Sequence, residues 1–139
     1  MQWYRMAINR GSEFGGRSRR KEYWYFVLFN TLICFAIMLI GAFIASLAGA
    51  TADSIGMAAN VAGLIYSLAV MSPSLAVSIR RLHDTDHSGW WLLIPIIPIL
   101  GSIVLLVFLV MDGQPGKNRF SPNPKQVKDA RDDEIEGFA

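Results

Sequence analysis

Three long stretches of this 139-residue chain contain no Asp, Glu, Lys or Arg. They cover residues 23–52, 54–79 and 88–111 and are 30, 26 and 24 residues long. A helix needs about 20 mostly apolar residues to cross the hydrocarbon of a bilayer. The pattern therefore predicts an all-α integral membrane protein with three transmembrane helices, at about residues 23–48, 55–82 and 88–111.

The polar segments that flank these stretches complete the predicted organisation. Residues 1–22 form a basic N-terminal segment, residues 23–111 form the transmembrane domain and residues 112–139 form a polar tail. From Asp129 onward the tail holds five acids and one arginine, so we expect its acidic end to be disordered. Because 53% of the residues are hydrophobic and only 17% are charged, an ordinary soluble domain and a disordered protein are excluded.

Small residues at four-residue spacing predict that the first two spans form a tight hairpin. They run along one face of each helix, and small side chains let two backbones approach closely. They are Gly41, Ala45 and Gly49 in the first span and Ala59, Gly63 and Ser67 in the second. Pro73 is expected to kink the second span. We expect Asn30 and Asn60 to form hydrogen bonds between helices.

The distribution of Lys and Arg predicts a cytoplasmic N-terminus. Residues 1–22 carry six basic residues and residues 80–87 carry two more, whereas the loop around Asp53 carries none. Cytoplasmic loops are enriched in Lys and Arg, and short loops count most. The N-terminus and residues 80–87 are therefore predicted to be cytoplasmic, and the loop around Asp53 to face outside.

The third predicted span contains Pro95, Pro98 and Gly101, and this leaves two topologies open. Three complete crossings place the tail outside, although the tail carries several Lys and Arg residues. A re-entrant third segment returns the tail to the cytoplasm and puts every Lys and Arg on one side. We prefer three crossings, because a run of 24 residues is long enough for one span.

The densest polar cluster lies between the second and third predicted spans, at residues 80–91. One interpretation is structural, because Arg80 and Asp84 are four residues apart and can pair on one helix face. A second is recognition of an anionic head group, since the arginine fork suits phosphate. The candidate binding residues are Arg17, Arg19, Arg20, Arg80, Arg81, His83, Asp84, Ser88, Gly89 and Trp90.

A third interpretation of this cluster is a metal or catalytic site. His83 and His87 are four residues apart, and Asp84 and Asp86 could add oxygen ligands. However, Gly89 argues against a continuous helix, and the sequence shows no nucleophile motif and no glycine-rich phosphate loop. We therefore predict no metal and no cofactor and favour a non-enzymatic role. A membrane enzyme using His83 and Asp84 is the least favoured alternative.

Four motifs spread over nearly the whole chain carry a family resemblance. They are Phe-Gly-Gly-Arg-Ser-Arg-Arg-Lys-Glu-Tyr-Trp at 14–24, Arg-Arg-Leu-His-Asp at 80–84 after Pro73, Ser-Gly-Trp-Trp at 88–91 and Gly-Lys-Asn-Arg-Phe at 116–120. In this order they resemble a bacterial inner-membrane family catalogued as domain of unknown function 805. The resemblance covers about residues 12–124 and implies a small multi-pass inner-membrane protein without an established activity.

The sequence departs from the family pattern at two positions of the polar cluster. Asp86 and His87 stand where the pattern usually has glycine and a basic residue. His87 is therefore not part of the pattern, which weakens a site built from two histidines. The better candidates that remain are Arg80, Arg81, His83 and Asp84.

Together these observations favour a non-enzymatic interaction or anionic-lipid-binding module of the bacterial inner membrane. The expected partners are membrane lipids, anionic head groups among them, and either further copies of the chain or other membrane proteins. We expect no nucleic-acid partner, because basic residues beside a span more often set topology and contact head groups. The alternative is a subunit of a transporter or channel, with a path lined by Asn30, Asn60, Ser72, Pro73 and Ser74.

Overall fold

The computed structural model describes residues 2–124 and 126, and within these residues the chain forms helices and turns without a strand. In chain order the helices are α1 Gln2–Asn9, α2 Arg20–Leu47, α3 Ala52–Ala69, α4 Met71–Asp84, a 3-10 helix Gly89–Ile96 and α5 Leu100–Val110. This confirms the all-helical prediction for that part of the chain. The acidic end from Asp129, predicted to be disordered, lies outside the described residues.

Helix α2 is the clearest membrane-spanning candidate. Its 28 residues reach about 42 Å at 1.5 Å per residue, more than the roughly 30 Å of bilayer hydrocarbon. Its most apolar window has a mean hydropathy of 2.5, and none of that window is buried inside the protein. Leu32, Phe35 and Phe43 are all more than half exposed. A helix with this surface suits a lipid environment, and it coincides with the first predicted span at 23–48.

Helices α2 and α3 form the predicted hairpin. The Tyr66 hydroxyl donates to Asn30 Oδ1 at 2.6 Å, which confirms the interhelical role expected for Asn30. Gly63 lies close to α2, since a Cβ there would be 3.9 Å from Met38 Cγ. Gly41 plays no such part: a Cβ there would meet no neighbouring atom of the described chain within 4 Å. The close approach predicted through Gly41 is therefore wrong.

The second predicted span, 55–82, is divided into α3 and α4, which are bent by 52° at Val70. The bend lies one turn before Pro73, which is the third residue of α4. A proline has no N–H to donate to the carbonyl four residues earlier, here that of Ala69, and its ring crowds that carbonyl, so the helix bends there. The next carbonyl, that of Val70, keeps its backbone donor, since the Ser74 N–H donates to it at 2.9 Å and the Ser74 hydroxyl donates to the same oxygen at 2.6 Å.

The third predicted span, 88–111, does not form one helix. It is divided into the 3-10 helix and α5, which pack against each other, and the 11 residues of α5 reach only about 16 Å. The Arg81 guanidinium, near the end of α4, donates to the Leu109 carbonyl at 3.0 Å and to the Met111 carbonyl. The segment starts just after α4 ends at Asp84, and these bonds place its far end beside the same end of α4. The predicted interruption by proline is present, whereas a third crossing is not confirmed.

A small apolar core joins α1 to α2 and α4. It consists of Ala7, Phe26 and Val77, with Tyr4 and Tyr23 packed against it. Hydrogen bonds join residues 16–22, the C-terminal end of α4 and the segment 112–124 to one another. We call these three parts, together with α1, the polar cap. The polar cap is where the structure gathers most of the candidate binding residues.

Candidate functional site

Three arginines and two acids are buried together in the polar cap. The Asp84 carboxylate accepts a hydrogen bond from Arg17 Nε at 2.8 Å and another from Arg81 Nη1 at 2.6 Å. Arg80 Nη2 donates to Glu22 Oε1 at 3.2 Å. Each of these five side chains is at most 7% exposed. We call them the ion-pair network, and three guanidinium groups face two carboxylates within it.

The predicted pairing of Arg80 with Asp84 is wrong. Arg80 points from α4 toward the start of α2, where it meets Glu22, while Asp84 meets Arg17 and Arg81. Glu22 was absent from the candidate residues. It is the only acid of the motif at 14–24. A lone acid among basic residues at the start of a span indicates a partner for a buried cation.

The ion-pair network ties the segment after α5 to the rest of the polar cap. Arg17 Nη1 donates to the Gly116 carbonyl at 2.7 Å, and Arg17 Nη2 donates to the Gln114 carbonyl at 2.6 Å. The Gln114 N–H in turn donates to the Asp84 carbonyl at 2.9 Å. At Gly113 a Cβ would overlap the Asp84 carboxylate. Only a residue without a side chain allows this close approach.

His83 is held by the same segment. Its ring stacks on Phe120 with the ring centres 3.8 Å apart, and Asn118 Nδ2 donates to the His83 carbonyl at 2.8 Å. His83 Nδ1 lies 3.1 Å from the Gly16 carbonyl oxygen. Burial lowers the pKa of His83 below its usual value; the Gly16 carbonyl opposes this, and the charge of Arg119 adds to it. The neutral imidazole is therefore the favoured form.

Asn118 and Phe120 were not among the candidate binding residues. Both belong to the motif at 116–120 that carries the family resemblance. Their contacts with His83 link this motif to the one at 80–84. The signal that could have identified them was therefore the motif itself.

The two histidines of the polar cluster occupy separate aromatic stacks. The His87 ring stacks on Phe108 with the ring centres 3.9 Å apart, and its Nδ1 lies 3.1 Å from Thr85 Oγ1. In residues 2–124 and 126 no group of three or more His, Cys, Asp or Glu side chains is placed to hold a metal ion. His83 and His87 therefore pack against two different aromatic rings, those of Phe120 and Phe108.

Arg19 and Arg20 lie at the rim of the polar cap. Arg20 Nη1 pairs with Asp112 Oδ1 at 3.0 Å, and both side chains are substantially exposed. Arg19 donates to the Pro124 carbonyl, and its guanidinium carbon lies 5.8 Å from the centre of the Trp3 ring. The five candidate arginines are therefore divided between the buried ion-pair network and a solvent-facing rim.

A groove of about 480 Å³ runs along α4 beside the 3-10 helix. Leu75, Ile79 and His83 line it at four-residue spacing, so they lie on one face of α4. The rest of its wall consists of Phe14, Ser88, Gly89, Trp90, Leu92 and Leu93. The groove thus brings together four of the candidate binding residues: His83, Ser88, Gly89 and Trp90.

The start of the 3-10 helix shapes one wall of this groove. The Ser88 side chain caps the helix by accepting from the Trp90 N–H at 3.5 Å. A Cβ at Gly89 would lie 3.1 Å from Ile79 Cγ2, so the 3-10 helix passes close to α4 at this point. Trp90 is 78% exposed and forms the outer edge of the groove.

Most polar residues considered for a transport path have partners inside the chain. Asn30 bonds to Tyr66, and the hydroxyls of Ser72 and Ser74 donate to backbone carbonyls. Asn60 differs, since it is exposed on α3.

Comparison with known proteins identifies relatives over nearly the whole chain. The family described as "Protein of unknown function (DUF805)" matches residues 12–122. Inner membrane protein YhaH of Escherichia coli strain K12 is 41% identical over 125 residues, which cover 90% of this chain and 98% of YhaH. Inner membrane protein YhaI of the same strain is 40% identical over 125 residues, which cover 90% of this chain and 97% of YhaI.

No solved structure matches the chain. The matched range contains all four motifs from which the family was predicted, and the polar cap is built largely from those motifs. The family prediction is therefore confirmed: this chain belongs to the DUF805 family of proteins of unknown function.

Proposed function

We propose that this protein is an inner-membrane module whose polar cap, N-terminus and tail all lie on the cytoplasmic side. The names of YhaH and YhaI support the location. In this topology α2 and α3 are the two crossings, and the 18 residues of α3 reach about 27 Å. The 3-10 helix and α5 form a re-entrant segment, since the segment starts just after the end of α4 and its far end is bonded to Arg81 of α4.

The charges of the chain support this topology. Basic residues occur before α2, at the end of α4 and in residues 112–124, while the α2–α3 turn has none. Cytoplasmic segments are enriched in Lys and Arg. Two crossings and a re-entrant segment place all three basic regions on one side, whereas a third crossing would separate the bonded parts of the polar cap across the membrane.

We further propose that the module binds one anionic phospholipid in the groove along α4. The observation that carries this proposal is the change of polarity along the groove: Leu75 and Ile79 are apolar, and His83 forms the polar end. A phospholipid has the same order, with an apolar chain below a polar head group. Each CH₂ group transferred from water to an apolar surface contributes about 0.8 kcal/mol.

The head group would contact the rim of the polar cap and leave the ion-pair network intact. Arg17, Arg80 and Arg81 are buried and bonded within the protein. Arg119 is 60% exposed at its side chain, although its guanidinium also pairs with Asp86 Oδ1 at 3.2 Å and donates to the Asp86 carbonyl at 2.6 Å. Its charge acts on His83 at the polar end of the groove. A guanidinium can offer two parallel hydrogen bonds to phosphate. Arg119 is therefore the residue we assign to the phosphate.

The experiment is native mass spectrometry of the protein in mild detergent micelles with equal amounts of phosphatidylglycerol and phosphatidylcholine. We expect wild type to retain one phosphatidylglycerol per chain. Leu75→Trp fills the apolar end of the groove and lowers retention by about tenfold, equivalent to roughly 1.4 kcal/mol. Arg119→Gln removes the preference for phosphatidylglycerol and leaves the binding of phosphatidylcholine unchanged.

The matched control is Leu68→Trp, which places the same side chain at a lipid-facing position of α3 that is 60% exposed and outside the groove. We expect this variant to retain lipid like wild type. Equal retention by Leu75→Trp and Leu68→Trp would show that the groove is not the binding site. Equal retention of both lipids by wild type would contradict the anionic preference.

A further inference from the structure

The outer face of α3 carries one polar side chain within an apolar segment. Asn60 is eight residues beyond the start of α3 at Ala52, which places it about 12 Å along the helix. Its side chain is exposed. Across residues 2–124 and 126 its amide has no hydrogen-bond partner, whereas the Asn30 amide bonds to Tyr66 and to the Phe26 carbonyl.

An exposed amide at this depth faces hydrocarbon if α3 crosses the bilayer. Lipid chains offer no hydrogen bonds, so an unsatisfied polar group there costs several kcal/mol. Asparagine occurs between membrane helices because its side chain can bond across the interface. The Asn60 amide therefore indicates that another polypeptide covers this face of α3.

The surface around Asn60 has room for a second helix. A groove of about 510 Å³ lies along this face, and a Cβ at Gly56 would meet no neighbouring atom of the described chain within 4 Å. Gly56 is one turn before Asn60, and Ala52 is one turn earlier still, so small residues lie on both turns below the amide. Small residues allow two helix backbones to approach closely.

We propose that the occupant is a second copy of this chain, bound through α3 against α3 around a two-fold axis along the membrane normal. An amide has both a donor and an acceptor, so it can bond to an identical amide. In a two-fold interface a residue that faces the symmetry axis lies opposite the same residue of the other copy, and the two copies share one depth because they share one topology. Asn60 is thereby satisfied by Asn60 of the other copy without any further polar residue.

With the same symmetry we expect the opposite effect at Asp53, where the two copies repel each other. Asp53 lines the same groove as Asn60, so the two Asp53 carboxylates of a dimer face each other at the water end of α3. Like charges placed near each other oppose association. Replacing Asp53 with asparagine therefore strengthens the dimer, whereas replacing Asn60 with leucine weakens it.

The experiment measures energy transfer between donor-labelled and acceptor-labelled full-length chains in phosphatidylglycerol–phosphatidylcholine vesicles, over a series of protein-to-lipid ratios. We expect wild type to dimerise and Asn60→Leu to raise the dissociation constant by about tenfold. Asn60→Gln keeps the amide and retains most of the association. Asp53→Asn lowers the constant by about twofold.

The matched control is Thr31→Val, which removes a polar group from an exposed position of α2, where the hydroxyl donates to the Val27 carbonyl. Its dissociation constant should equal that of wild type. Monomeric wild type at every ratio overturns the proposal, as does an equal effect of Thr31→Val and Asn60→Leu.

A cross-link provides a second test. With Gly56→Cys in a Cys34→Ala background, oxidation in native membranes should give a dimer of the chain. A cross-link only to a different polypeptide would also overturn it.

Discussion

Asp84 balances two positive charges in the buried part of the polar cap, since its two carboxylate oxygens accept from Arg17 and from Arg81. A buried ion pair adds little net stability by itself, because desolvation of the charges offsets their attraction. Removing one partner leaves an uncompensated charge and is strongly destabilising. The carboxylate of Asp84 is therefore a group of the polar cap whose removal should be strongly destabilising.

We expect Asp84→Asn to lower the free energy of unfolding by about 3–5 kcal/mol. The measurement is denaturant unfolding of the purified protein in mild detergent. The control is Asp112→Asn, since Asp112 pairs with Arg20 at the surface and its side chain is 71% exposed. Exposed pairs contribute about 1 kcal/mol or less. Equal losses in the two variants would show that the ion-pair network does not hold the cap.

The sequence predicted which charged residues gather but not how they pair. The density of polar residues at 80–91 singled out Arg80, Arg81 and Asp84, and all three are in the ion-pair network. Spacing identifies partners only within one helix, whereas Arg80 and Glu22 are 58 residues apart and Arg17 and Asp84 are 67 apart. Such pairs depend on how the helices pack.

The proposed re-entrant segment depends on one close approach between its two helical parts. At Gly101, in the first turn of α5, a Cβ would overlap the carbonyl of Ile94 in the 3-10 helix. We expect Gly101→Ala to separate the two parts and to lower the free energy of unfolding by about 2 kcal/mol. The same denaturant unfolding in detergent measures this loss.

Gly41→Ala serves as the control for that prediction. It adds the same methyl group inside α2, where no neighbouring atom of the described chain lies within 4 Å. Alanine favours a helix interior over glycine by about 1 kcal/mol, so this variant should be as stable as wild type or more stable. A Gly101→Ala variant as stable as wild type would show that the close approach is not required.

The pattern of apolar residues predicts α2 but not the interrupted path of the third predicted span, for reasons of length and packing. The 30 uncharged residues from Tyr23 exceed what a span needs, so α2 follows from the pattern alone. The 24 residues from Ser88 satisfy the same criterion, but a count of residues assumes a continuous helix. Pro95 and Pro98 interrupt it, and the bonds from Arg81 to Leu109 and Met111 hold its far end beside α4, which no local pattern reveals.

At the scale of the whole molecule, the proposed topology places residue 121 in the cytoplasm. In a Cys34→Ala background we expect Ser121→Cys to react with a membrane-impermeant thiol reagent only after the cells are lysed. Ala50→Cys, in the turn between α2 and α3, should react in intact cells and provides the control. Reaction of Ser121→Cys in intact cells would instead establish a third crossing, which is incompatible with the polar cap described above.

The bonds of Arg17 link the beginning of the chain to its end. Arg17 donates to the carbonyls of Gln114 and Gly116, which follow it by 97 and 99 residues. While the ribosome is still making the residues between Arg17 and Gln114, the Arg17 guanidinium cannot yet donate to these two carbonyls. Translation must therefore pass residue 116 before the N-terminal region can close, and a chain that ends before Gln114 leaves the Arg17 guanidinium without either of these acceptors.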